Sequence, residues 1–124
     1  MTTAYLILIM LNILIRPADM PVKIDPFLQE QAQIRAEHLC VAGQWSHDGW
    51  LKSFEGRQWS YAGENLARNW HDATKAMDAW TRSPAHYRNL INPKYKVVGI
   101  GEDVRCDLIV LLFADKYEKP KTKN

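Results

Sequence analysis

The chain has 124 residues, 47% of them hydrophobic, and a formal net charge of +2. That length fits one domain, and that apolar fraction builds a core without needing disulfide staples. The near-neutral balance argues against a nucleic-acid surface, which needs a concentrated basic face.

Residues 4–15, AYLILIMLNILI, are almost wholly apolar. A secretory signal starts with a positive stretch and ends at a small-residue cleavage site. MTT carries no Lys or Arg, and RPADMP offers no such site. The run is also too short to cross a bilayer as a helix. The preferred reading is a buried first helix. Two rivals stand beside it: an atypical export signal, and a helix that packs on a partner chain.

Pro17 ends this stretch at Arg16, and a loop follows through Met20-Pro21. Asp25-Pro26 then opens a helix, with Asp25 as N-cap and Pro26 at the first helical position. Leu28, Ala32, Ala36 and Leu39 recur at helical spacing, and Gly43 closes the element. Residues 44–62 have no clear period and read as a structured loop. Its aromatics, Trp45, Trp50, Phe54, Trp59 and Tyr61, suit either a ligand surface or plain packing. After GENLA, Asp72 caps a helix whose apolar stripe is Ala73, Ala76, Met77 and Trp80. Ser83-Pro84 opens a shorter helix that stops near Asn92-Pro93. VVGIG (97–101) and DLIVLLFA (107–114) are strand-like and flank a polar turn. Helices followed by a late hairpin predict an α+β fold, with helices packed around a small antiparallel sheet. One domain is expected over residues 1–117, followed by a polar tail at 118–124.

Cys40 and Cys106 show no CxxC or finger spacing. They are either one disulfide or two buried thiols acting as small hydrophobes. Glu64 sits between Gly63 and Asn65, ahead of apolar Leu66. A carboxylate buried there needs hydrogen-bond donors or a cationic partner. His86 falls at the third position of its helix, where a neutral imidazole is preferred and is free to take a proton or a metal. His47 lies in the aromatic loop, beside Asp48. His38 and His71 read as surface residues. No HExxH, GxSxG or phosphate-binding glycine loop is present.

LQEQAQIRAEHLC, SHDG, YAGENLA, MDAWTRSPAHYRNLINPKYKVVGIG and VLLFADKY occur in that order. Together they resemble the CAP domain of the SCP-like family, which comprises cysteine-rich secretory proteins, antigen 5 and plant pathogenesis-related proteins. The likeness is to the short bacterial and phage-type branch and runs over roughly residues 8 to 116. It implies an α-β-α sandwich. Leu11-Asn12 and Arg16 look like the family's first-helix element, which keeps the apolar run inside the domain. The family carries a cleft with two His and two acidic residues, and some members bind a divalent metal through the His pair. By that resemblance His47, Glu64 and His86 form the cleft, with His47 and His86 as ligands of a zinc ion. The second acidic residue is absent: Trp80 is followed by Thr81, Arg82 and Ser83.

Two functional classes follow from the resemblance. The first is a binding module, extracellular or virion-associated, whose cleft takes a protein, lipid or glycan and whose apolar N-terminal segment meets an assembly partner. The second is a metal-dependent, peptidase-like hydrolase with Glu64 as general base.

Overall fold

The computed structural model describes residues 2–68 and 72–115; His71 and the tail from residue 118 lie outside them. Helix α1 spans Thr3–Met10, with Thr2 Oγ1 accepting from the Tyr5 N–H at 3.2 Å. It widens into a π-helical turn over Leu11–Ile15. The expected buried first helix is buried along one stripe only. Ile7 and Leu11 are fully enclosed, while Ile13 is 72% and Leu14 71% exposed. An element that is apolar all round cannot hide every side against a single sheet.

Polar groups at the end of this segment anchor it. Asn12 exchanges two hydrogen bonds with the Val22 backbone, each 2.9 Å. Arg16, 5% exposed, donates to the carbonyls of Met20, Leu90, Asn92 and Tyr95. Burial lowers its pKa, and the four carbonyls replace the water it has lost.

Strand β1 (Lys23–Ile24) leads into α2 (Pro26–Ala42). Asp25 caps α2 by accepting from Leu28 N–H at 3.0 Å, and Gly43 closes it in the left-handed conformation at φ 63°. Residues 44–61 hold one 3₁₀ turn, Trp50–Phe54. GENLA belongs to β2 (Ala62–Arg68). Two helices follow, α3 (Ala73–Arg82) behind its Asp72 cap and α4 (Pro84–Ile91). The hairpin β3 (Val97–Asp103) and β4 (Leu108–Ala114) completes the fold.

The sheet order is β1-β3-β4-β2. The three long strands are antiparallel as expected; the two-residue β1 adds a parallel edge pair with Val97 and Val98. β4 is central and buried on both faces. Val110 and Leu112 face α2 with Leu28, Ala32, Ala36 and Leu39. Ile109, Leu111 and Phe113 face α1, α3 and α4 with Ile7, Trp80 and Leu90. The result is the α-β-α layering. At Gly99 and Gly101 the α2 backbone lies so close that an added Cβ would stand 2.2 Å from it. Glycine is the residue that permits this approach.

Side chains complete both flanks of the sheet. On β3, Gln29 Oε1 accepts from Ile100 N–H at 2.8 Å and Gln33 Oε1 from Glu102 N–H at 3.0 Å. On β2, the carbonyls of Ala62, Glu64 and Leu66 accept from Tyr95, Asn89 and Trp80. A disulfide joins Cys40 at the end of α2 to Cys106 in the β3–β4 turn, with Cα atoms 5.6 Å apart. This decides between the two readings of the cysteines.

Candidate functional site

The site wraps the free edge of β2. Successive strand residues point to opposite faces, so Glu64 and Asn65 reach different layers. Each residue of the GEN triplet has its own task. At Gly63 an added Cβ would meet the Tyr95 hydroxyl at 2.5 Å, so this position admits the ring. Asn65, fully buried, donates to the His86 carbonyl at 3.1 Å and accepts from Asn89 at 2.8 Å, which docks α4 on the strand. Glu64 turns toward α2.

There it meets Arg35, a residue the sequence reading passed over. Arg35 Nε donates to Glu64 Oε2, and Nη2 donates to Oε1 at 3.0 Å. The Glu64 side chain is 1% exposed and that of Arg35 6%, so this is a buried two-point ion pair. His47 Nδ1 stands 2.9 Å from the same Oε1. Arg35 also donates to the carbonyls of Ser46 and Asp48, both at 3.3 Å, and thereby fixes the loop that carries His47. Glu64, not the neighbouring Asp48, orients the His47 ring. That ring is otherwise open, with 56% of its side chain exposed. Because Nδ1 faces Glu64, Nε2 is the nitrogen left for a ligand.

His86 approaches from the opposite layer. Its Nδ1 lies 2.8 Å from Ser83 Oγ. Ser83 holds the N-cap position of α4, yet its hydroxyl serves the imidazole and no backbone N–H. Burial, and then the charge of His47, lower the His86 pKa. No hydrogen bond links His86 to Glu64 directly; the connection runs through Asn65 and Asn89. Of the three expected residues, His47 and Glu64 touch, and His86 hydrogen-bonds to neither of them.

His47, Trp50, Glu64 and Asn89 line an open cleft of about 340 Å³. Among the described residues no group of three or more His, Cys, Asp or Glu is placed to hold a metal ion. A catalytic zinc takes three protein ligands and one open position. The chain offers two imidazoles, and its nearby carboxylate is engaged by Arg35. The residues present thus fall short of that ligand set. Among the described residues no helix is long and apolar enough to cross a membrane.

The model of the CAP, or cysteine-rich secretory protein, family matches residues 10–107. The uncharacterised protein YkwD of Bacillus subtilis is 27% identical over 89 residues, covering 65% of this chain and 34% of that protein. The chain thus spans about a third of that curated relative. Among solved structures, an extracellular SCP-domain protein of Bacillus anthracis superposes with a TM-score of 0.78 at 21% identity, over 92% of this chain and 40% of that one. An outer surface protein of Borrelia burgdorferi gives 0.69 at 23% identity, over 77% of each. Venom allergen-like protein 4 of Schistosoma mansoni gives 0.71 at 16%, over 96% of this chain and 91% of that one. The layered fold agrees with these neighbours, and the match over residues 10–107 shows that this chain belongs to the cysteine-rich secretory protein (CAP) family.

Proposed function

We propose that this CAP domain is an extracellular binding module whose β2-edge cleft recognises a protein, lipid or glycan. The observation that carries the reading is the engagement of Glu64. Both carboxylate oxygens accept from Arg35, and Oε1 also meets His47. A general base must also reach the attacking water, and the Glu64 side chain is 1% exposed. Glu64 is instead committed to positioning, and the open His47 ring with Trp50 presents the contact surface. The extracellular assignment follows the Bacillus anthracis and Borrelia burgdorferi neighbours, described as an extracellular and an outer surface protein.

The test pairs binding with turnover. Wild type, His47→Ala and His86→Ala are titrated with zinc by calorimetry. The same proteins are screened against immobilised glycans, lipid vesicles and a fluorogenic peptide library. The binding reading expects a ligand whose capture needs His47, with the peptides left uncut whether or not zinc is present. Zinc-dependent cleavage that Glu64→Gln abolishes would overturn it in favour of a hydrolase.

A further inference from the structure

Asp48 is followed by Gly49, and no other Asp or Asn in the chain precedes a glycine. The pair sits between His47 and Trp50, which both line the β2-edge cleft. An aspartyl-glycyl junction can close on itself. The glycine nitrogen attacks the side-chain carboxyl carbon and forms a five-membered imide. The closure needs a free carboxyl, a free amide and open space around both.

The loop supplies all three. Asp48 and Gly49 are exposed. Among the described residues none donates a hydrogen bond to the Asp48 carboxylate or forms an ion pair with it; the contacts of Asp48 run through its backbone, to Ser46 Oγ and Arg35. The Gly49 N–H has no acceptor among them either, since the bonds of this turn start from the amides of Trp50 and Lys52. Gly49 stands at φ 80°, and a Cβ built on it would meet nothing within 4 Å. Other carboxylates are engaged. Asp25 and Asp72 cap helices, Asp103 pairs with Arg105, and Asp115 accepts from Ser60 and Tyr61.

We infer that Asp48 is a self-modification site, an aspartate that converts spontaneously to isoaspartate and thereby rewires the cleft. The steps balance with water alone. A bond forms between the Gly49 nitrogen and Asp48 Cγ, and the amide proton leaves with the carboxyl hydroxyl as water. Water then adds to the imide carbon that was the Asp48 main-chain carbonyl and breaks its bond to nitrogen. The chain now runs through Cβ and Cγ, one backbone carbon longer between His47 and Trp50. The former main-chain carbonyl becomes a free carboxylate. It is this group that accepts from Arg35 Nη1 at 3.3 Å. A neutral acceptor beside the guanidinium is thus exchanged for an anion, with no change in net charge, and charge-assisted hydrogen bonds are the stronger kind. The new carboxylate competes with Glu64 for Arg35, and Glu64 Oε1 is the atom that orients His47.

The whole chain is incubated in ¹⁸O-labelled water at neutral pH, then digested and sequenced by electron-transfer fragmentation, which separates isoaspartate from aspartate. Asp19 is the internal control: it is also exposed, but the next amide, that of Met20, is bonded to the Pro17 carbonyl. Asp48 is expected to take up label and isoaspartate at least about tenfold faster than Asp19, one decade in rate. Asp48→Glu keeps the charge and would need a six-membered ring, so it is expected to abolish conversion. The His47 imidazole resonances of ¹⁵N-labelled protein are followed alongside. A second set should grow in step with the isoaspartate and stay absent in Asp48→Glu. No ligand enters the experiment, so its result stands apart from the binding reading. Conversion at Asp48 no faster than at Asp19, or a single unshifted His47 set after conversion, would overturn the proposal.

Discussion

Replacing Glu64 by Gln tests how far the site depends on its buried charge. The substitution keeps size and one acceptor oxygen but leaves the Arg35 guanidinium without its anion. Both side chains are at least nine-tenths buried, with 6% and 1% exposure. Breaking such a pair from one side costs about 3–5 kcal/mol; the surviving acceptor places Glu64→Gln near the lower end. With an unfolding entropy of about 2.1 cal/mol/K per residue, a chain this long loses roughly 10 °C in melting temperature for that change. Glu55→Gln, at an exposed position, is the control and should stay within about 0.5 kcal/mol of wild type. Paired variants sharpen the test. Arg35→Met combined with Glu64→Leu removes both charges and should be less destabilised than the two single changes summed. Thermal melts followed by circular dichroism measure all of these. If Glu64→Gln melts with Glu55→Gln, or the double variant simply adds, the ion pair is not what holds the cleft.

Reduction of the disulfide should also lower stability. The bridge closes a sequence separation of 66, for which chain entropy assigns about 4 kcal/mol, or roughly 15 °C. Melts with and without dithiothreitol, and of Cys40→Ser/Cys106→Ser, read this directly; coincident melts would refute it. Acid should weaken the fold through His86, whose pKa is lowered from 6.5, first by burial and then by His47. The native state prefers the neutral ring, so this contribution is full above the unfolded value and is lost as pH falls below it. His86→Gln should flatten the decline in melting temperature between about pH 7 and pH 5.

The sequence made some of this visible and concealed the rest, for physical reasons. Asp25, Pro26, Gly43 and Asp72 act locally, through capping and backbone preference, and each marks the helix boundary it was expected to mark. Arg35 was legible in principle. It shares the buried stripe of Leu28, Ala32, Ala36 and Leu39, and a cation on an apolar stripe demands a buried counter-charge elsewhere. Glu64 was flagged as needing a cationic partner, but the two were not joined, because pairing across 29 residues leaves no periodic trace. GENLA showed no alternation because five successive residues of β2, Gly63 to Ala67, are buried. β1 is too short to read, since its two residues pair only because β3 is already in place. The Ser83–His86 contact was hidden behind the helix-capping role that Ser83 was assigned.

The finished flanks of the sheet have one more consequence. A strand edge with free amides and carbonyls invites a foreign strand to add to it, and so seeds swapped dimers or fibrils. Here two glutamines occupy outer N–H groups on one side, while a tyrosine, an asparagine and a tryptophan occupy outer carbonyls on the other. Lateral growth would have to evict them first. Among the described residues the sheet thus stops at four strands through side-chain chemistry, and the apolar LIVLLFA strand stays at its centre, away from either edge.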